Sequence, residues 1–97
     1  MHLDEIQKRV YANKVAKNFN VSDVPFEFCL LSGEVAEAFD AWRKKKDDLG
    51  SELADVGIYL AGLCEILGFS LHDEMVKKME INEKREYDKN KRRVKDG

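Results

Sequence analysis

A chain of 97 residues, 43% hydrophobic and 37% charged, has the size of a single small domain and is too apolar for a disordered segment. Its longest uncharged run in the helical part, Val56 to Cys64, is nine residues, far short of a membrane span. The formal net charge of −2 hides an asymmetry: Lys77 to Lys95 holds nine Lys/Arg against four Asp/Glu, so the rest carries −7, a poor match to a general nucleic-acid binder.

Apolar spacing predicts a first helix over residues 3 to about 19, with Leu3, Ile6 and Val10 followed by Val15 and Phe19. Asn13, Lys14 and Lys17 on its later turns read as solvated surface, or as an end facing a nucleotide or its phosphates. Ser22 or Asp23 can cap a second helix over about 25 to 46, and Pro25 suits its first turn. That helix carries Phe26, Cys29, Leu30, Leu31, Val35, Ala38, Phe39 and Trp42, and ends in the cations Arg43 to Lys46.

After a short loop, Asp47 to Gly50, a third helix is expected from about 48 to 67. From Val56 to Cys64 it is apolar on every side, so it must be buried on every side. A 97-residue monomer has few elements with which to surround it, and a second subunit related by a two-fold axis is implied. Gly57 and Gly62 would permit close helix approach. Gly68 suits the residue past the helix end, and Ser70 with Asp73 suits the cap of a fourth helix. Leu71, Met75 and Met79 form the expected core stripe there. Lys78, Asn82 and Arg85 form a parallel polar stripe, either solvated surface or a phosphate clamp. From Asp88 onward the hydrophilic tail is expected to fray.

Cys29 and Cys64, flanked by apolar residues and lacking CxxC spacing, read as core cysteines of a cytoplasmic protein. The N-terminus has no basic-then-apolar signal pattern. His2 and His72 lie at neither i+3 nor i+4 from a paired carboxylate, which argues against a di-iron bundle and removes the usual general acid/base.

Two acidic repeats stand out: Glu34-Val35-Ala36-Glu37 and Glu52-Leu53-Ala54-Asp55. Each puts two carboxylates one turn apart on one helix face. Packed side by side, the two helices would gather four negative charges, which need a counter-charge. The simplest is a divalent cation with oxygen ligands, Mg²⁺ or Mn²⁺.

The ordered set Gly33-Glu34-Val35-Ala36-Glu37, Ser51 through Leu60, and Lys78-Met79-Glu80-Ile81-Asn82 through Arg85 resembles the MazG-like all-α nucleoside triphosphate pyrophosphohydrolases. The nearest subgroup is the small single-domain enzymes similar to dCTP pyrophosphatase, and the resemblance spans roughly residues 3 to 88. It implies an all-α, four-helix single domain that assembles as a homodimer or homotetramer through its apolar central helix. It implies Mg²⁺-dependent cleavage of an NTP or dNTP to the monophosphate and pyrophosphate. Glu34, Glu37, Glu52 and Asp55 match the metal-binding carboxylates, with Glu34 or Glu37 handling the water. Lys78, Asn82 and Arg85 match the phosphate-contacting helix. Tyr59 falls where related enzymes present a base-stacking aromatic, and Phe19 and Trp42 are further base-pocket candidates. Some members carry an extra Glu where this chain has Gly33, and the spacing between the acidic pairs is short here. A non-enzymatic helical dimerisation module and a different metal-dependent phosphohydrolase are the competing readings.

Overall fold

The computed structural model describes residues 1–87, Asn90 and 93–95. Four helices follow one another: α1 (Leu3–Ala16), α2 (Val24–Arg43), α3 (Leu49–Leu67) and α4 (Leu71–Lys84). Two short strands, β1 (Glu86–Tyr87) and β2 (Arg93–Lys95), pair antiparallel after them. Of the tail expected to fray from Asp88 onward, Arg93–Lys95 lie in this ladder and Asn90 in a turn, and the other positions lie outside the described residues. The domain is otherwise all-α.

The helix starts follow the local chemistry. The Asp23 carboxylate accepts from the Phe26 N–H at 3.1 Å, with Pro25 in the first turn. The Ser70 hydroxyl accepts from the Asp73 N–H at 3.2 Å. Three helix ends share one device. At each, a left-handed residue follows the last turn and two backbone bonds reach back over it, the tighter from the residue beyond. Phe19 N–H donates to Lys14 O at 2.8 Å, Lys46 N–H to Ala41 O at 2.9 Å, and Phe69 N–H to Cys64 O at 2.9 Å. The left-handed residues are Asn18, Lys45 and Gly68. α1 and α2 therefore stop at Ala16 and Arg43, earlier than the expected 19 and 46.

α3 packs against both α2 and α1, while α4 meets α1 alone to any extent and bends 103° away from α3. Gln7, buried on α1, ties down the α3–α4 turn. Its amide donates to Phe69 O at 2.6 Å and Glu65 Oε1 at 2.9 Å, and its carbonyl accepts from the Leu71 N–H at 3.0 Å. Gly62 allows the close approach expected of it: a Cβ there would lie 3.2 Å from Val10 Cγ1. Gly57 faces open space within the chain.

The apolar core of the single chain is thin. Its buried hydrophobic residues are Ala38, Ala41, Ala61 and Leu63. The expected stripe residues Met75 and Met79 are exposed, as are Phe26, Val35, Phe39, Trp42, Leu53 and Ile58. Cys29 is exposed and Cys64 half-buried, both as free thiols, so neither is the core cysteine expected. The radius of gyration, 16.3 Å, exceeds the roughly 12.5 Å of a compact domain of this length. Among the described residues no single helix is long and apolar enough to cross a membrane.

Candidate metal centre and adjoining cleft

Glu34 and Glu37 lie mid-way along α2, and Glu52 and Asp55 in the first turns of α3. Because α2 and α3 pack together, the two acidic turns meet. One carboxylate oxygen from each of Glu34, Glu37 and Glu52 lies within 4.8 Å of the others. Asp55, half-buried, stands outside this three-oxygen group, but its charge reaches Glu34. Burial first, and then the neighbouring Glu37, Asp55 and Glu52 charges, push the Glu34 carboxyl above its ordinary value. Glu34 Oε2 is buried and has no hydrogen-bond partner. A cluster of hard oxygens with one buried and orphaned suits a divalent cation such as Mg²⁺, which prefers carboxylate and water ligands.

Tyr59, one turn beyond Asp55, connects this cluster to a cleft of about 420 Å³. Its phenol is pushed up by burial and then by Glu34, Glu27, Asp55 and Glu37. Phe19, Asn13 and Lys14 line the same cleft, as do Ile58 and Arg9. Two of the three expected base-pocket aromatics are thus brought together. The third is not: Trp42 stacks on Phe39, ring centres 6.1 Å apart, in a separate apolar groove with Val35, Leu49 and Leu53.

Of the two expectations for Lys14, solvated surface and an end facing a nucleotide, its burial corrects the first. It is 8% exposed, and its ammonium lies 2.6 Å from Glu27 Oε1, on a side chain itself fully buried. Asn20 holds the other Glu27 oxygen at 3.0 Å. The Lys14 Nζ also lies 5.5 Å from the centre of the Tyr59 ring. The sequence did carry a signal for it. Leu3, Gln7, Val10 and Lys14 follow one another at helical i+4, i+3, i+4 steps, so the apolar stripe of α1 has polar residues at two of its own positions. Glu27 sits in the same way inside the apolar start of α2.

The polar stripe of α4 is not brought to the carboxylates in the single chain. Lys78 is exposed, and Arg85 donates to Asn82 Oδ1 at 3.0 Å while its buried Nε has no partner. None of the charges that move Glu34 lies on α4. No family model matches the chain, and no curated protein or solved structure matches it either, so its own side chains carry the functional reading.

Proposed function

We propose that the protein is a Mg²⁺-dependent, MazG-like nucleoside triphosphate pyrophosphohydrolase. The observation that carries this reading is the convergence of Glu34, Glu37 and Glu52, with the orphaned Glu34 Oε2 among them, beside a cleft with aromatic walls at Phe19 and Tyr59. Glu34, Glu37 and Glu52 would hold the cation, with Asp55 next to them. When bound, Mg²⁺ or Mn²⁺ supplies charge neutralisation for the phosphates and makes a coordinated water more acidic.

The chain's own residues do the rest. The cleft takes the base against Phe19 and Tyr59, which orients the triphosphate toward the carboxylates. Water attacks the α-phosphorus, the bond from that phosphorus to the α–β bridging oxygen breaks, and pyrophosphate departs. Glu34 or Glu37 orients the water and accepts its proton. Lys78 and Arg85, which the single chain keeps away from the carboxylates, would hold the outgoing pyrophosphate only in an assembly that brings α4 to them, Arg85 with a guanidinium suited to bidentate contact. Positioning and electrostatics carry the catalysis, with no covalent intermediate.

A second copy of the chain completes this reading. The exposed Val35, Phe39, Trp42 and Leu53 form an apolar surface on the very helices that carry the carboxylates. Such a surface on a 97-residue chain suits an obligate homo-oligomer. A non-enzymatic dimerisation module would use the same apolar faces, but would have no need of the acidic cluster or the cleft. The test is pyrophosphate release from a panel of NTPs and dNTPs with Mg²⁺ or with chelator. Metal-dependent release is expected; no release from any member, with or without metal, would contradict the reading.

A further inference from the structure

We propose that Lys14 reads the base, its ammonium donating to a keto oxygen of a nucleobase held in the cleft lined by Phe19 and Tyr59. This rests on the nucleotide reading above and narrows it to keto-bearing bases: hypoxanthine, guanine and the pyrimidines rather than adenine.

Three features of Lys14 lead there. First, it is buried and still lines the cleft. Second, an ammonium has three N–H donors, and among the described residues Glu27 Oε1 takes the one hydrogen bond that Lys14 Nζ makes. A buried donor left without an acceptor is costly, so the remaining donors call for an acceptor supplied from the cleft. Third, Glu27 neutralises the ammonium at 2.6 Å, and Asn20 anchors Glu27 in turn. A charge compensated in this way attracts a phosphate only weakly, and the Glu34, Asp55 and Glu37 charges that reach Tyr59 oppose a bare anion there. A neutral carbonyl oxygen needs only a free donor, and a charged donor strengthens that bond. Position agrees: Lys14 Nζ lies 5.5 Å from the centre of the Tyr59 ring, which is common to the cleft and the surroundings of the carboxylates. A nucleotide with its phosphates at the carboxylates would carry its base toward this ammonium.

The experiment compares two uncleavable ligands, the α,β-methylene triphosphates of inosine and of purine riboside, which differ at the base in the C6 keto group and in N1, an N–H donor in the first and an acceptor in the second; only the first offers a keto oxygen to an ammonium at that edge. Binding is measured by calorimetry in Mg²⁺ on the full chain, the Lys14→Met variant and the double variant Lys14→Met/Glu27→Leu. The double variant removes the donor without stranding a buried carboxylate, so it keeps the test open if the single variant does not fold; circular dichroism checks both. The expected result is a preference of about tenfold or more for the inosine ligand in the unmodified protein, lost in every folded variant lacking Lys14, with purine riboside binding unchanged. An equal affinity for the two ligands, or a preference that survives in the double variant, would overturn the role of Lys14 while leaving the nucleotide site in place. Binding of neither ligand would overturn the nucleotide site itself, and this inference with it.

Discussion

Glu34 and Glu37, one turn apart on α2, stand close enough that Glu37 helps to hold the Glu34 carboxyl above its ordinary value, second only to burial. Such a pair is poorly stable as two bare anions and well suited to sharing a cation. A cation held there would therefore compete with a proton on Glu34.

In metal-free protein, the native state binds the Glu34 proton more tightly than the unfolded chain does. Stability is then expected to fall as pH rises from the ordinary carboxylate value of 4.5 through the raised value of the folded state. Glu34→Gln removes that slope, which thermal melts across the mildly acidic range would show. Adding Mg²⁺ in the same range should release a proton, measurable in weakly buffered solution and missing in Glu34→Gln. Metal uptake by the unmodified protein with no proton released would count against Glu34 as a ligand.

The Lys14–Glu27 pair makes a sharp statement about stability. Removing one partner leaves the other charged and buried, so Lys14→Met alone should cost about 3–5 kcal/mol in urea unfolding. Replacing both with apolar side chains, Lys14→Met/Glu27→Leu, should recover most of that loss. Equal losses in the single and double variants would mean the ion pair itself stabilises the fold.

Helix ends give an independent check on the backbone. Lys45 has φ +56°, where a side chain is strained, so Lys45→Gly should stabilise by about 0.5 to 1 kcal/mol. Gly68, at φ +82°, is already the favoured residue, and Gly68→Ala should lose about 1 kcal/mol. Chemical denaturation midpoints at constant slope would read both changes.

These ends also explain what was legible in the sequence. Gly68 announces its left-handed turn, and α3 ends where expected; Asn18 and Lys45 adopt the same turn with residues that do not announce it, and α1 and α2 were expected to run three residues further. The four helices followed from apolar spacing and the Ser70 cap from residue type; Ser22 and Asp23 are equal candidates in the sequence, and the two acidic turns meet because α2 and α3 pack together. The burial of Lys14 is signalled only weakly, by its helical step from Val10, because a lysine late in an amphipathic helix is ordinarily solvated and its partner Glu27 lies on another helix. Trp42 lies in a groove of its own, apart from Phe19 and Tyr59, because aromatic character suits a base pocket and an apolar groove equally and only tertiary packing separates them.

The uncovered apolar surface carries an expectation about assembly. At micromolar concentration the protein should sediment as a dimer or tetramer. Leu53→Glu, which puts a charge in the groove beside Trp42, should shift it toward monomer and lower its melting temperature. A monomeric unmodified protein at that concentration would remove the second copy from the account.

The central claim is the site of cleavage, and phosphorus NMR of a nucleoside triphosphate incubated with protein and Mg²⁺ tests it most directly. The expected spectrum shows nucleoside monophosphate and pyrophosphate growing in equal amounts. Both should be absent with chelator and in the Glu37→Gln and Asp55→Asn variants, whose circular dichroism should match that of the unmodified protein. Nucleoside diphosphate with orthophosphate, or an unchanged triphosphate from the unmodified protein, would contradict it.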